Sequence, residues 1–133
     1  MKALKIDVVN KTITNININK ENFSTEIYQL IGNGCNTFCC PVDFENGDCI
    51  YADDESLLHE NIEGCFMLPE WNYPIVGNAI ILGTDDEGDS IDCKTSPSEL
   101  LENVIWGNKE ASEEYREKAL NSMYVINFDN NAE

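Results

Sequence analysis

Two short acidic segments hold the side chains best suited to bind a cation. The segment Asp53-Asp54-Glu55 could supply paired carboxylates for metal-assisted hydrolysis, and the segment from Asp85 to Asp89 suggests a calcium loop. An EF-hand loop has glycine at its sixth position, whereas Gly88 is the fourth residue of this segment. Because the flanking residues have the pattern of strands, we predict a solvated hairpin turn with Gly88 at positive φ. No second group of metal-ligating residues accompanies the first segment, so we predict neither a metal site nor a catalytic residue there.

The six cysteines and the single histidine could serve thiol or zinc chemistry. The cysteines form no Cys-x-x-Cys pair, and the adjacent Cys39 and Cys40 would point to opposite faces of a strand. A nucleophilic cysteine needs a cationic neighbour that lowers its pKa, but His59 lies among acids with no lysine or arginine near it in sequence. We therefore predict that His59 is an exposed loop residue and that the cysteines are reduced thiols acting mainly as small buried hydrophobic residues. The cysteines are Cys35, Cys39, Cys40, Cys49, Cys65 and Cys93.

Three aromatic residues, Trp71, Tyr73 and Trp106, could form a stacking surface for a ligand. Packing in the core is the commoner use of such side chains. Trp71 and Tyr73 lie in an irregular segment bounded by Pro69 and Pro74. If the protein has a recognition surface of this kind, we expect Trp71 and Tyr73 to form it.

The charge of the chain is strongly negative and unevenly distributed. The 133 residues carry a formal net charge of −17, from 25 acidic and 8 basic residues, and 42% of them are hydrophobic. That apolar fraction argues against a disordered acidic tail. No lysine or arginine occurs from Glu21 to Cys93, a stretch that contains 16 aspartates and glutamates. Such a surface repels phosphate backbones and attracts cations or basic proteins, so we predict no direct binding of nucleic acid.

The N-terminus and the apolar runs indicate where the protein resides. The first residues lack the continuous apolar core of a signal peptide, and the longest apolar run, within residues 75–82, is too short to span a bilayer. We expect a cytoplasmic protein with no membrane contact and no cofactor. The oligomeric state is left open.

The first half of the chain predicts strands and one short helix. Residues 2–9 and 12–19 are expected to form a hairpin around Asn10-Lys11. Phe23, Ile27, Leu30 and Ile31 have the spacing of one helical face, and Gly32 supplies the end of the helix. Residues 37–42 and 49–52 predict a second hairpin around Asn46-Gly47, with Pro41 indicating an edge strand or a strand end. Residues 75–84 predict a central strand that is buried on both faces.

The second half predicts two helices. Ser96, Pro97 and Glu99 have the pattern of a helix start, and Gly107 of a helix end. The buried face of this helix would consist of Leu100, Leu101, Val104 and Ile105. A charged helix is expected over residues 109–123, followed by a strand candidate over 124–128. The chain is thus predicted to be one α+β domain over residues 1–133, with a mixed, largely antiparallel sheet, one short N-terminal helix and two C-terminal helices.

The central part of the chain resembles domain of unknown function 3846, a family found in bacteria, bacteriophages and mobile elements. The similar segments are Tyr51-Ala52-Asp53-Asp54-Glu55-Ser56-Leu57-Leu58 and Pro74-Ile75-Val76-Gly77-Asn78-Ala79-Ile80-Ile81-Leu82-Gly83-Thr84-Asp85-Asp86-Glu87-Gly88-Asp89. The resemblance covers about residues 3–95 and leaves residues 96–133 as an extension. Ser56 departs from the family's usual glycine, and either Asn61 or Asn72 would be the equivalent of its loop asparagine. The resemblance implies a small α+β protein of phage or mobile-element type and carries no activity.

These observations support three functional hypotheses. The first is a non-enzymatic binder or inhibitor that uses an acidic surface, in the manner of a nucleic-acid mimic, against a basic host protein. The residues assigned to that surface are Asp53, Asp54, Glu55, Asp85, Asp86, Glu87 and Asp89. The second is a domain that binds a small metabolite or nucleotide by stacking on Trp71 and Tyr73. The third, and the least supported, is a metal-dependent hydrolase.

Overall fold

Alternating apolar residues fold the chain into two antiparallel sheets and three helices. The computed structural model describes residues 1–32, 35, 38–59, 62–69, 71 and 73–132, and within them every strand pairing is antiparallel. The α+β prediction is therefore confirmed. The strands are β1 (Lys2–Asp7), β2 (Thr12–Asn17), β3 (Phe38–Asp43), β4 (Asp48–Asp53), β5 (Cys65–Met67), β6 (Ile75–Val76), β7 (Ala79–Thr84), β8 (Ser90–Ile91) and β9 (Ile105–Gly107), and the helices are α1 (Phe23–Ile31), α2 (Pro97–Leu101) and α3 (Lys109–Ala132).

The first sheet has the strand order β2-β1-β7-β4-β3, and β8 pairs with the end of β7. Strand β7 lies in the middle, and its residues are buried alternately on the two faces of the sheet, as predicted for a central strand. Strand β3, which contains Pro41, lies at the edge, where the missing backbone N–H of proline is tolerated. The predicted first residue of this strand, Thr37, lies outside the described residues.

The predicted strand over residues 75–84 is two strands in two sheets. Gly77 adopts a positive φ of 88° and donates its N–H to the Gly64 carbonyl at 2.9 Å. The side chain of Asn78 accepts a hydrogen bond from the backbone of Val8. Because of this turn, β6 lies in the second sheet, whose strand order is β6-β5-β9, and β7 lies in the first sheet. The apolar residues on both sides of Gly77 and Asn78 concealed the turn, because both strands are buried.

Two apolar clusters lie on opposite faces of the first sheet. One is formed between this sheet, the second sheet and α2, and it includes Ile81 from β7, Phe66 from β5 and Leu100 from α2. The other lies under α1, where Ile27 and Ile31 are buried against β7. Helix α1 has the predicted apolar face and ends at Gly32, whose φ is 72°. Burial on both faces explains why β7 has no polar position before its last residue.

The segment after residue 96 differs from the sequence prediction. The Ser96 cap and the Pro97 start are confirmed, with Glu99 N–H donating to Ser96 Oγ. Helix α2, however, ends at Leu101, and residues 105–107 form β9 against β5. The β-branched and aromatic residues of this segment suit a strand better than a second helical turn. Leu101 and Ile105, predicted to be buried, are 46% and 62% exposed.

The strand predicted over residues 124–128 is wrong, because the whole range belongs to α3. Asn108 caps this helix by accepting from the Ala111 N–H at 2.9 Å. No glycine or proline follows before residue 132, so nothing interrupts the helix, and the β-branched residues near its end are tolerated there. Among the described helices, none is both long and apolar enough to cross a bilayer.

Candidate functional site

A cleft with a volume of about 550 Å³ lies beside the C-terminal end of β4. The end of β4 and the short 3-10 turn Ser56–Leu58 form one wall, residues 71 and 73–76 form another, and α3 contributes Tyr115 and Leu120. The cleft brings together two groups of residues that the sequence suggested separately, the acidic segment 53–55 and the aromatic pair of residues 71 and 73. Its lining residues are Cys39, Ala52, Asp53, Asp54, Glu55, Ser56, Leu57, Trp71, Tyr73, Pro74, Ile75, Val76, Tyr115 and Leu120.

Three aromatic rings give the cleft its apolar character. The rings of Trp71 and Tyr73 meet edge to face, with centroids 5.8 Å apart. Trp71 packs against the core and is held in place, whereas Tyr73 is 59% exposed. Tyr115 contributes a third ring, and burial, together with the nearby Tyr73, raises the pKa of its phenol. The aromatic surface therefore has a packed part, Trp71, and an exposed part, Tyr73. Tyr115 had no signal in the sequence, because only the fold brings α3 to this cleft.

The acidic wall has one buried carboxylate, Asp53, and two exposed ones, Asp54 and Glu55. Asp53 is 6% exposed, and its Oδ1 accepts the backbone N–H of Glu55 at 2.9 Å. Its Oδ2 lies at the ion-pair distance of 2.9 Å from His59 Nε2, but neither atom makes a hydrogen bond of acceptable geometry within the described residues. Asp54, the next residue, is exposed. Asp54 and Glu55 are therefore the carboxylates of this wall that a ligand can reach.

The prediction that His59 is exposed is wrong. Its side chain is only 25% exposed because it folds back onto Asp53. Cys39 lines the same cleft, so the fold does assemble a cysteine, a histidine and an aspartate in one region. Burial and the neighbouring carboxylates of Asp54 and Asp53, however, raise the pKa of the Cys39 thiol to about 11. This thiol is protonated at neutral pH, which argues against a nucleophilic role.

Two side-chain hydrogen bonds hold helix α3 against the segments around residues 57 and 62, next to the cleft. Arg116 donates from Nε to the Leu57 carbonyl at 2.7 Å, and the buried Ser112 donates from Oγ to the Ile62 carbonyl at 2.9 Å. Tyr115 lies between these anchors on the helix and packs near Ile62. The position of the third ring is thus set by polar contacts on both sides of it.

The second acidic segment lies far from the cleft. Asp85 Oδ1 accepts the backbone N–H groups of Glu87 and Asp89, both at 2.9 Å, and Gly88 has a φ of 86°. The predicted hairpin turn is therefore confirmed. It follows the end of β7 that pairs with the beginning of β4, whereas the cleft lies at the other end of β4. The five residue-to-residue steps of β4 from Asp48 to Asp53 span about 17 Å at 3.4 Å per step, so the two acidic groups do not form one continuous cluster.

Asp48, at the beginning of β4, is a buried carboxylate that sequence reasoning assigned to a hairpin turn. It is 0% exposed and accepts hydrogen bonds from Thr95 Oγ1 at 2.6 Å, Thr95 N at 2.8 Å, Lys94 N and the Cys93 thiol. Burial alone would raise the pKa of Asp48, but the hydrogen bonds from Thr95 and Lys94 hold it below its ordinary value. A side chain at the neighbouring Gly83 would collide with the chain next to this contact, since a Cβ there would lie 2.5 Å from the Asp92 carbonyl oxygen and 3.3 Å from Asp48 Oδ1. Asp48 thus fastens the segment before α2 to the sheet.

No family model, curated protein or solved structure matches the chain. The resemblance to domain of unknown function 3846 therefore stays a prediction. Asn61 and Asn72, the two candidates for the family asparagine, lie outside the described residues.

Proposed function

We propose that this protein is a binding protein whose cleft accepts a positively charged side chain of a basic partner protein. The observation that carries the proposal is the placement of Asp54, Trp71 and Tyr73 in one cleft. An arginine or lysine side chain combines an apolar stem with a cationic head, and both parts would find complementary surface there. The protein would act as a non-enzymatic binder, as the first sequence hypothesis states.

The charge of the cleft supports a cationic occupant. None of the lining residues is a lysine or arginine, and Asp54 supplies an exposed carboxylate next to the aromatic rings. The face of an aromatic ring attracts a cation by roughly 0.5–1 kcal/mol at an exposed site and more where water is excluded. The net charge of −17 adds a long-range attraction that increases the rate of encounter with a basic partner.

The partner class follows from the same charge. A basic protein surface, such as one that ordinarily contacts nucleic acid, presents arginine and lysine side chains at high density. The resemblance to a phage and mobile-element family would make that partner a host protein. The cleft and the turn Asp85–Asp89 lie apart on the protein. This separation favours binding of the partner mainly at the cleft, and it argues against a continuous acidic surface that imitates a phosphate backbone.

A second candidate function is the binding of a small cationic or aromatic ligand. The volume of about 550 Å³ favours it, because small-molecule pockets typically enclose about 300–1,000 Å³. A hydrolase is the least supported function. Among the described residues, the carboxylates of residues 53–55 are not brought within reach of a single ion, and Asp53 already contacts His59.

Calorimetric titration with an arginine-rich peptide tests the proposal. We expect Asp54→Asn and Tyr73→Ala each to weaken binding about 5- to 10-fold at low salt, which corresponds to about 1–1.4 kcal/mol. The matched control is Asp86→Asn, which removes the same charge from an exposed turn position away from the cleft and should change the affinity less than 2-fold. Equal losses in Asp54→Asn and Asp86→Asn would show unspecific charge attraction and overturn the proposal.

Two further titrations separate the candidate functions. Raising the salt concentration should weaken peptide binding, because the attraction is partly electrostatic. Arginine amide, a small molecule with the same head group, should bind more weakly than the peptide if a protein is the partner. If arginine amide binds as tightly as the peptide, the small-ligand function is favoured instead.

A further inference from the structure

A β-bulge in the edge strand β3 places two of its side chains on the same face of the first sheet. The pairing of β3 with β4 runs from Phe38 to Cys39, then shifts register before Val42 and Asp43 pair again. In a regular strand, residues three positions apart point to opposite faces. The extra residue in the bulge removes this alternation, so Cys40 and Asp43 point to the same side.

The bulge joins these two residues to a third ligand on β4. Asp43 pairs directly with Cys49, and one potential ligand atom from each of Cys40, Asp43 and Cys49 lies within 4.8 Å of the other two. The Cys40 thiol is 3.6 Å from Asp43 Oδ1. These contacts correspond to the separation between ligands that share one metal ion. Among the described residues, this is the group of three that meets that condition.

We propose that Cys40, Asp43 and Cys49 form a binding site for Zn²⁺ or a chemically similar borderline-soft divalent cation. Two sulfur ligands and one carboxylate oxygen form a donor set that suits Zn²⁺ better than Mg²⁺ or Ca²⁺, which prefer oxygen ligands. Three protein ligands leave a fourth tetrahedral position for water or an exogenous ligand. Each thiol transfers its proton to solvent as its sulfur donates an electron pair to the ion, and no oxidation takes place.

The surroundings of the group fit this role. Cys40 and Asp43 are exposed, which gives an ion a path from solvent, and Cys49 is 3% exposed, which fixes one ligand in the sheet. The Thr84 hydroxyl lies 3.4 Å from Cys49 Sγ, and once that sulfur is a thiolate only the hydroxyl can donate. The negative charge of the protein raises the local concentration of cations. This site revises the sequence expectation of no metal, which rested on the absence of a Cys-x-x-Cys pair.

The proposed metal site is independent of the cleft, because the adjacent residues Cys39 and Cys40 of β3 point to opposite faces of the sheet. Cys39 lines the cleft and lies near Asp54, whereas Cys40 lies with Cys49 on the other face. The metal proposal therefore does not rest on the function proposed for the cleft. It also supplies a matched control, since Cys39→Ser removes a thiol from the same strand without touching the proposed ligands.

Titration of the reduced, metal-free full chain with Co²⁺ tests the site, because thiolate ligands give cobalt a charge-transfer absorption that oxygen ligands do not. We expect one equivalent of Co²⁺ to produce this band and Zn²⁺ to displace it. Cys40→Ser should abolish the band or weaken Co²⁺ binding at least 10-fold, Asp43→Asn should weaken binding severalfold, and Cys39→Ser should leave it unchanged. Both test positions are exposed, so the variants are expected to fold, and far-ultraviolet circular dichroism checks this.

Three results would overturn the proposal. They are the absence of a thiolate band in the wild-type protein, a band that survives in Cys40→Ser, and an equal loss in Cys39→Ser. The peptide titration of the cleft is a separate measurement on the same variants. A failure of the metal site with normal peptide binding, or the reverse, identifies which of the two proposals is wrong.

Discussion

Strand β4 carries a buried aspartate at each end, and the two differ in how their oxygens are satisfied. Asp48 is 0% exposed and receives hydrogen bonds from two backbone N–H groups, a hydroxyl and a thiol. Asp53 is 6% exposed, receives the N–H of Glu55 and contacts His59 without hydrogen-bond geometry. The carboxylate oxygens are therefore fully hydrogen-bonded in Asp48 and only partly hydrogen-bonded in Asp53.

The difference separates a structural carboxylate from one that borders the cleft. A buried carboxylate is tolerated when fixed donors replace its water, and the segment around Thr95 supplies them at the Asp48 end. At the Asp53 end, a cleft lies beside the strand in place of a chain segment that would supply such donors. We therefore expect mutations at Asp48 to affect folding and mutations around the cleft to affect binding.

The largest effect is expected for Asp48→Ala. The substitution leaves partly buried donors of Cys93, Lys94 and Thr95 without an acceptor, and charge-assisted hydrogen bonds contribute about 1.5–3 kcal/mol each. Because these losses are not additive, we expect the free energy of unfolding to fall by about 3–5 kcal/mol in urea titrations. Asp86→Asn, at an exposed turn, should change it by less than about 0.5 kcal/mol. A loss below 1 kcal/mol for Asp48→Ala would contradict a structural role.

The second effect is a dependence on acid pH. Because the pKa of Asp48 is lower in the folded protein than the unfolded value of about 3.9, its ionised form contributes stability above that unfolded value. This contribution is lost as the pH falls through the folded pKa. We expect the difference in unfolding free energy between the wild type and Asp48→Asn to be constant between about pH 5 and 7 and to shrink below about pH 4.

Chemical denaturation at a series of pH values measures this difference. Burial alone would raise the pKa of Asp7, but hydrogen bonds from Asn10 and Val9 lower it. Because Asp7 is present in both the wild type and Asp48→Asn, its contribution cancels in the difference between their unfolding free energies. A difference that grows as the pH falls would mean that Asp48 is not held as a carboxylate.

The sequence predicted those parts of the fold that depend on local patterns. The hairpin turn with Gly88, the end of α1 at Gly32 and the cap of α2 at Ser96 were all correct, because each depends on residues a few positions apart. The central position of β7 was also correct, since burial on both faces leaves a continuous apolar run.

The remaining errors concern contacts between distant parts of the chain. Strand β9 pairs with β5, which lies about 40 positions earlier in the chain. The β-propensity of residues 105–107 produces a strand only because that partner strand lies beside them. Likewise, Asp48 resembled a turn residue because its donors at residues 93–95 lie far along the chain. The prediction that the cysteines are mainly buried does not hold for Cys40, which is exposed on the edge strand β3, because burial at an edge depends on which parts of the chain cover it.

The smallest effect is expected at the other end of β4, for the contact between Asp53 and His59. Asp53→Asn keeps an oxygen that can accept the N–H of Glu55, and His59→Gln keeps a polar side chain at a partly exposed position. Because the contact lacks hydrogen-bond geometry, we expect each substitution to lower the free energy of unfolding by about 1 kcal/mol or less. The double variant measures the coupling between the two residues directly, and we expect it to stay below about 0.5 kcal/mol. A coupling of several kcal/mol would make Asp53 a structural carboxylate like Asp48, and the contrast between the two ends of the strand would then disappear.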